Sequence, residues 1–392
     1  MVSDISTLSS FAELPSVFWL AMLSLGSWVV LMAMRGDFWR ADQRLAEGSY
    51  EPDVAPAVAI VVPARDEEEF VEAAVESLKQ QNYRGNFSIH VVNDCSDDAT
   101  AEIAKRAGAR VISGSEPPPD WTGKMWAVSQ GIDAALGEFQ QAEYYWITDA
   151  DIEHHPGELA SLVARSERDG LDLNSVMVKL LTDDLWSRIL IPAFVFFFQK
   201  LYPFPWVNDP RRKTAAAAGG SMLVRRSALD RIGGIAAIKG ELIDDCALAQ
   251  KIKSGGGSIG LALADETRSL RPYNGYAGVW NMVARTAFHQ LRRSVPLLVG
   301  TVAGMVFLYL SPPIALVVAA ATGEAPAAVV SFAAWFAMAW AFAPTLYRYD
   351  LNPWYGFTLP FAGALYTMMT LDSAYRHWRG RGGEWKGRVH NG

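Results

Sequence analysis

The chain has 392 residues, 51% of them hydrophobic and 20% charged, with a formal net charge of −7. This length allows two or three domains, the acidic balance argues against a nucleic-acid partner, and two cysteines without C-x-x-C spacing argue against zinc or dithiol redox chemistry. Charges crowd into residues 35–293, whereas residues 295–371 carry only Glu324, Arg348 and Asp350. The distribution predicts a polar domain flanked by membrane segments.

The first apolar run, residues 17–34, is about as long as a helix that spans a bilayer. Basic residues follow the run, at Arg35, Arg40 and Arg44, and no small-residue cleavage site stands out. A signal peptide would carry its basic flank before the run, so we predict an uncleaved anchor over residues 1–45. The arginines place the chain after the run in the cytoplasm.

The central region alternates between short β-branched runs and segments with helical spacing. The predicted strands are residues 58–62, 87–92, 111–112, 144–148 and 222–224, and the predicted helices are residues 67–80, 99–107 and 246–253. This alternation predicts an open α/β sheet, which binds ligands at the carboxyl ends of its strands. Three polar motifs stand at such ends: PARDEE (63–68), NDCSDD (93–98) and TDADI (148–152).

The TDADI motif is the strongest candidate for a metal site. Asp149 and Asp151 directly follow an apolar strand, and like charges this close are unfavourable unless a cation compensates them. We therefore predict that this pair binds a divalent cation, Mg²⁺ or Mn²⁺. For Asp94 and the acidic residues after it, capping of the next helix is an equal alternative to a functional role. His154 and His155 could also be metal ligands, but they lie beyond the motif beside Pro156 and are interpreted as surface turn residues.

Three later features suit phosphate and hydroxyl chemistry. Lys124 would place an ammonium near a phosphate, unless it is simply solvated. Gly219 and Gly220 would let the backbone approach a sugar or an acceptor, or else form a tight turn. Asp244 is predicted to cap a helix with Asp245 in its first turn, where a helix N-terminus keeps the carboxyl pKa low. An ionised Asp245 could accept a proton from a hydroxyl.

The C-terminal third contains two predicted spans, residues 296–320 and 327–346, and a last candidate at residues 354–371. Three spans would place the basic tail outside, against the positive-inside rule. Either the last run is re-entrant or interfacial, or Pro312 and Pro313 split the first span into a hairpin. The sequence leaves both alternatives open.

A separate apolar stretch, residues 185–207, is predicted to lie in the membrane interface. A single crossing there would put TDADI and the later LIDD motif (242–245) on opposite sides of the membrane. The predicted organisation is an anchor over residues 1–45, a domain over residues 55–293 that includes this stretch, a membrane region over residues 294–375, and a basic tail over residues 376–392.

Taken in order, the motifs resemble those of the family-2 glycosyltransferases of the GT-A fold. The sequences that carry the resemblance are PARDEE, NDCSDD, WTGK, TDADI, AAGGSMLVRR and LIDDCALA. The closest resemblance is to the hopene-associated (hopanoid-cluster) membrane glycosyltransferases, which are related to ceramide glucosyltransferases. It covers residues 58–293 and continues into the membrane segments and the WKGR tail (385–388).

The resemblance implies a Rossmann-like, open mixed sheet in a cytosolic domain. The resemblance also implies one N-terminal and about three C-terminal transmembrane or interfacial helices. The expected protein is a multi-pass protein of the bacterial inner (cytoplasmic) membrane. The residues implied to line the nucleotide-sugar pocket are Pro63, Ala64, Arg65, Glu67, Asp94, Lys124 and Asp149. The residues implied to contact the acceptor or diphosphate are Gly219, Gly220, Asp244, Gln290 and Arg293.

The resemblance also assigns the central chemistry. Asp149 and Asp151 match the metal-binding Asp-x-Asp, and Asp245 matches the general base of inverting members. Those members carry Gln-x-x-Arg-Trp before the first C-terminal span, where this chain has Ser294 in place of the tryptophan. Because that aromatic typically helps to hold an acceptor sugar, its replacement suits a lipid acceptor.

The implied reaction moves one sugar from a UDP-sugar or another nucleotide-sugar donor to a hydroxyl of a membrane lipid. The acceptor class is a hopanoid or a similar polycyclic or sphingoid lipid, and the mechanism is a metal-assisted single displacement with inversion. The expected partners are the donor, the lipid acceptor and the bilayer, without nucleic acid. Two alternatives are a processive polysaccharide synthase and a non-catalytic scaffold in a hopanoid-lipid assembly.

Overall fold

The structure, a computed structural model, describes residues 16–46 and 55–381. The contacts divide the chain into two compact units. The helical unit contains the described residues up to Arg40 together with Asp184–Leu201 and Gly275–Tyr375. The sheet unit contains the described residues within Ala41–Asp183, Tyr202–Asn274 and the segment from Arg376. The WKGR motif lies outside the described residues.

The described part of the sheet unit is built on one eight-stranded sheet. Its strands are β1 (Val58–Ala64), β2 (Phe87–Asn93), β3 (Arg110–Ser113), β4 (Tyr144–Thr148), β5 (Ile152–Glu153), β6 (Leu173–Lys179), β7 (Ser221–Arg225) and β8 (Ile259–Ser269). They lie in the order β3-β2-β1-β4-β7-β6-β8-β5. β7 is antiparallel to both neighbours and β5 is antiparallel to β8, whereas the other pairs are parallel.

This open mixed sheet confirms the predicted α/β fold class. In chain order the helices are α1 (Ser16–Met34), α2 (Val71–Lys79), α3 (Thr100–Arg106), α4 (Gly123–Glu138), α5 (Glu158–Asp169), α6 (Leu185–Leu201), α7 (Phe204–Asn208), α8 (Arg226–Arg231), α9 (Asp244–Ser254), α10 (Tyr276–Gln290), α11 (Val295–Met305), α12 (Ser311–Thr322), α13 (Ala325–Arg348) and α14 (Leu359–Trp378). The five predicted strands correspond to β1, β2, β3, β4 and β7, while β5, β6 and β8 were not predicted.

The parallel core brings the polar motifs to one edge of the sheet. β1 is buried along its whole length, as expected for a Val- and Ile-rich strand that is covered on both faces. Ala64 at the end of β1 pairs with Asn93 at the end of β2. Thr148 at the end of β4 pairs with Ser221 at the start of β7. PARDEE, NDCSDD, TDADI and the glycine pair before β7 therefore all emerge at the same edge.

The helical unit packs its aromatic side chains around α6. Phe196 lies 5.3 Å from Phe38 and 5.2 Å from Phe342, between ring centroids. The Tyr366 hydroxyl donates a hydrogen bond to the backbone oxygen of Leu190 at 2.9 Å. Helix α6, which forms most of the stretch that the sequence assigned to the membrane interface, thus packs against other residues of the helical unit, and its interfacial position stays a prediction.

Among the described residues, three helices are long and apolar enough to cross a membrane: Ser16–Met34, Val295–Thr322 and Ala325–Arg348. The last apolar run that the sequence analysis offered as a candidate, residues 354–371, falls mainly in α14, which is not one of these three helices. Between Val295 and Thr322 the chain stays helical, with a π-helical segment at Val306–Leu310, so the hairpin alternative was wrong. Pro312 and Pro313 follow the π-helical segment and lack the N–H groups that would continue its hydrogen bonds, but the Phe307 oxygen accepts from the Ser311 hydroxyl and the Leu308 oxygen accepts from the Trp28 indole N–H at 2.9 Å.

Candidate functional site

Lys124 joins two of the acidic motifs. Its ammonium lies 2.9 Å from Asp149 Oδ1, after β4, and 3.4 Å from Asp244 Oδ2, at the start of α9. Thr122 caps α4 by accepting a hydrogen bond from the Met125 N–H at 3.3 Å, which fixes the first turn that carries the lysine. Burial alone would lower the pKa of Lys124, but the two carboxylates raise it above its usual value. The ammonium therefore stays charged, and the solvated alternative is wrong.

Asp245 is held in place by two backbone hydrogen bonds. Its Oδ2 accepts from the Gly219 N–H at 2.9 Å, and its Oδ1 accepts from the Cys246 N–H at 2.7 Å. Burial and the neighbouring Asp244 carboxylate raise the pKa of Asp245 to about 7, against the opposing effects of these N–H groups and Lys124. The prediction of a low pKa at the helix N-terminus was wrong because desolvation outweighs the helix dipole here.

The start of α9 also differs from the sequence prediction in detail. Asp244 is the first residue of the helix, and Ile243 is the N-cap residue without a side-chain capping bond. The Oδ2 atom of Asp244 is buried and accepts no hydrogen bond of good geometry within the described part of the chain. Its nearest cationic group is the Lys124 ammonium. The Asp244 carboxylate thus lies beside Lys124 and does not cap the helix.

Arg271 is a site residue that the sequence analysis missed. Its Nε lies 2.7 Å from Asp151 Oδ2, and its guanidinium also contacts the Glu67 carboxylate and covers the Phe70 ring at 4.9 Å. The arginine follows β8, whose last residue, Ser269, pairs with Ile152, the last residue of TDADI. Recognising residues 259–264 as a strand would have placed the polar residues after it at the same edge.

The carboxylates fit a divalent cation in chemistry and in charge. Oxygen ligands suit Mg²⁺ and Mn²⁺, and carboxylates outnumber the ammonium and guanidinium groups at this edge. Burial and the Asp149 carboxylate raise the pKa of Asp151, although Arg271 opposes the shift. No cluster of three or more His, Cys, Asp or Glu side chains suits an ion among the described residues. An ion held by Asp149 and Asp151 would therefore complete its coordination with phosphate oxygens and water, as Mg²⁺ commonly does.

The residues assigned to the nucleotide pocket lie where β1 and β2 end. Pro63 and Ala64 are the last two residues of β1 and are buried, so they could contact a ligand mainly through their backbone atoms. The Arg65 guanidinium donates to the backbone oxygen of Asp94 at 2.8 Å, and the Asp94 N–H donates to the Ala64 oxygen at 2.8 Å. The structure thus brings these four residues together, and their role toward a nucleotide stays a prediction.

Asp98 supports the capping alternative for the end of the NDCSDD cluster. Its Oδ1 accepts a hydrogen bond from the Thr100 N–H at 3.0 Å, at the start of α3. Its Oδ2 accepts from the Glu68 N–H at 3.1 Å, while the Glu68 carboxylate accepts from the Ala99 N–H at 3.1 Å. These reciprocal bonds fasten the loops after β1 and β2 to each other.

His154 is buried, with 4% of its surface exposed. Its Nδ1 lies 2.7 Å from Glu158 Oε2, and its Nε2 lies 2.8 Å from Thr148 Oγ1, which also contacts the backbone oxygen of Gly220 at 2.8 Å. Glu158 Oε1 accepts from the Ser221 hydroxyl at 2.7 Å. The surface-turn interpretation was therefore wrong for the first histidine of the pair, which joins the ends of β4 and β7 beside the acidic edge.

The remaining predicted residues divide between the two units. A methyl group at Gly219 would lie 3.4 Å from Asp245 Oδ2 and 3.5 Å from Lys124 Nζ, so this glycine lies against both charged groups. At Gly220 a methyl group would lie 3.2 Å from Val178. Gln290 and Arg293 belong to the helical unit, at the end of α10 and just beyond it. Their assigned contact with acceptor or diphosphate stays a prediction.

Comparison with known proteins gives two curated relatives. A 4,4'-diaponeurosporenoate glycosyltransferase of Staphylococcus haemolyticus is 30% identical over 105 residues, which cover 26% of this chain and 26% of that protein. An uncharacterized protein of Methanocaldococcus jannaschii is 32% identical over 122 residues, which cover 30% of this chain and 44% of that protein. The chain thus spans less than half the length of either relative.

The fold has a solved counterpart. The mannosyltransferase PcManGT from Pyrobaculum calidifontis, in complex with GDP-Man and Mn²⁺, superposes with a TM-score of 0.54 at 19% identity and covers 90% of this chain and 99% of that one. At this identity the likeness concerns the fold alone. The family model described as Glycosyl transferase family 2 matches residues 59–233, from β1 to the turn after α8. The match over residues 59–233 and the open mixed α/β sheet of the GT-A type support an enzyme domain that transfers sugars.

Proposed function

We propose that this protein is a membrane-bound, inverting glycosyltransferase. It moves one sugar from a nucleotide-sugar donor to a hydroxyl of a membrane lipid. The observation that carries the proposal is the setting of Asp245, whose two oxygens are fixed by backbone N–H groups and which lies against Gly219 beside Lys124. A carboxyl group with a pKa of about 7 is well matched to general base catalysis near neutral pH.

Asp245 acts as the base in a single displacement. The acceptor oxygen attacks the anomeric carbon from the face opposite the nucleoside diphosphate and gives its proton to the Asp245 carboxylate. A bond forms between the acceptor oxygen and the anomeric carbon while the bond from that carbon to the diphosphate oxygen breaks. The bonding electron pair leaves with the diphosphate, and the configuration at the anomeric carbon inverts.

The chain supplies positive charge for the leaving group. Lys124 stays protonated between Asp149 and Asp244, so its ammonium can face a phosphate without losing its charge. Asp149 and Asp151 would hold a divalent cation, Mg²⁺ or Mn²⁺, which when bound neutralises the departing diphosphate. Pro63, Ala64, Arg65, Glu67 and Asp94 would contact the nucleoside of a UDP-sugar or another nucleotide-sugar donor. Gln290 and Arg293 are proposed to contact the diphosphate or acceptor.

The acceptor is proposed to be a lipid because the enzyme domain is continuous with membrane-type helices. One candidate span precedes the domain and two follow it among the described residues. With that count the basic segment after α14 returns to the side of the domain, as the positive-inside rule requires for a cytosolic domain. We propose a multi-pass protein of the bacterial inner membrane, acting on a hopanoid or a similar polycyclic or sphingoid lipid.

The test uses the full-length protein in nanodiscs with a panel of nucleotide sugars and a membrane lipid extract. We expect release of nucleoside diphosphate that depends on the lipid extract, together with a lipid product that carries one added sugar by mass spectrometry. The Asp245→Asn variant should bind the donor and release almost no nucleoside diphosphate. Chains of several sugars would instead indicate a processive synthase, and an inactive wild-type protein would indicate a scaffold.

A further inference from the structure

We propose that Arg271 competes with the divalent cation for Asp151 and passes to the diphosphate of the donor once the cation is bound. Arg271 thereby couples cation binding to donor binding. This inference rests on the proposed nucleotide-sugar chemistry of the same site and adds a residue that its motifs do not contain.

The guanidinium occupies one of the carboxylate oxygen atoms that a cation would need, the Oδ2 atom of Asp151. Arg271 Nε lies 2.7 Å from Asp151 Oδ2, and a terminal nitrogen contacts the Glu67 carboxylate. The exposed fractions of the two carboxylate side chains are 16% and 10%, so water screens these ion pairs less than it would at the surface. A cation that binds the Oδ2 atom of Asp151 must displace the guanidinium from it.

The backbone of the arginine is fixed, whereas its side chain has room to move. The N–H of Leu270 donates to the backbone oxygen of Asp151 at 2.7 Å, and the N–H of Arg271 donates to Ser269 Oγ at 3.3 Å. The Arg271 side chain itself is 38% exposed and reaches its partners through a flexible stem. A displaced guanidinium can therefore turn away from Asp151 without any change in the strand.

Charge decides where the displaced guanidinium goes. A divalent cation interacts with a carboxylate more strongly than a monovalent guanidinium at the same distance. Once Asp151 is taken, the guanidinium has lost one of its two anionic partners, and the diphosphate of the donor is the new anion at this edge. Guanidinium and phosphate form bidentate hydrogen bonds of suitable geometry. Each ligand therefore raises the affinity for the other through Arg271.

The first measurement is Mn²⁺ binding to the full-length protein without nucleotide, followed by the electron paramagnetic resonance signal of free Mn²⁺. We expect Arg271→Gln to bind Mn²⁺ about tenfold more tightly than wild type, since the competing ion pair is gone. The matched control is Arg268→Gln. Arg268 lies on β8 and pairs with Glu153 at 2.6 Å, so its loss removes the same charge without freeing Asp151. Asp151→Asn should lose the binding.

The second measurement is the affinity for UDP and for GDP at saturating Mn²⁺. Arg271→Gln should bind whichever nucleotide the wild type binds about tenfold more weakly, while Arg268→Gln stays within about twofold. Equal Mn²⁺ affinity in the two variants, or unchanged nucleotide affinity in Arg271→Gln, would overturn the inference. Those results would leave the proposed function intact if wild type still transfers sugar. A wild type that binds none of the common nucleoside diphosphates and transfers no sugar would instead remove the proposed function.

Discussion

The substitution Asp245→Asn separates the chemistry of the site from its structure. Each carboxylate oxygen of Asp245 accepts one backbone hydrogen bond, from Gly219 and from Cys246. Asparagine has the same shape, but its amide nitrogen must face one of these two N–H donors. The variant therefore loses the base and also leaves one backbone N–H without an acceptor.

The two effects have different sizes and different readouts. Loss of a general base lowers kcat by roughly 10²- to 10⁴-fold. A buried N–H without a partner costs roughly 1–3 kcal/mol of the free energy of unfolding, and each kcal/mol lowers Tm by roughly 2–4 °C in a domain of this size. Donor affinity should change little, because in our mechanism the carboxylate acts on the acceptor.

The assay measures nucleoside diphosphate release, donor affinity and Tm in the same preparation, at a temperature well below the Tm of the variant. The matched control is Asp230→Asn, the same change at a side chain that is 66% exposed. It should leave all three quantities near wild type. Asp245 is not the general base if Asp245→Asn keeps more than about a tenth of the wild-type rate, or if donor affinity falls as much as kcat does.

Because the pKa of Asp245 is about 7 and the base must be unprotonated, kcat should rise with pH to about 7 and level off above it; a rate that is flat across this range contradicts the assignment. Gly219→Ala places a methyl group 3.4 Å from the Asp245 carboxylate and should reduce transfer at unchanged Tm, whereas Gly220→Ala, 3.2 Å from a valine, should lower Tm. Glu158→Gln replaces one of the carboxylate oxygens that contact His154, Ser221 and Thr267 by an NH₂ group, so it leaves a buried polar group without its partner and should cost about 1–3 kcal/mol in unfolding measurements. Burial raises the pKa of Glu158, but His154 and the hydrogen bonds to the carboxylate lower it more, so its pKa in the folded protein lies below its usual value. The stability that Glu158 contributes should therefore be present above the pKa of the unfolded state and be lost as the pH falls through the pKa of the folded state. The free energy of unfolding of the variant should lack this dependence on pH.

Local patterns in the sequence determined the framework of this protein. β1, β2 and β4 are short runs rich in β-branched and aromatic residues and bounded by polar turns, a pattern that favours a strand in a buried sheet. Parallel strands end at one edge of a sheet, which is why motifs distant in sequence were expected to meet. The membrane-type helices were likewise predicted from length and hydropathy alone.

Tertiary structure decided the electrostatics of the site and the far half of the sheet. β6 and β8 pair residues about ninety positions apart, and Arg271 reaches Asp151 over 120 positions, distances over which no local pattern carries information. Asp245 has the helix N-terminal position that favours a low pKa, yet the atoms packed around it raise that pKa to about 7. A motif specifies which ionisable group is present, but desolvation and distant partners fix its protonation, and both depend on the folded surroundings.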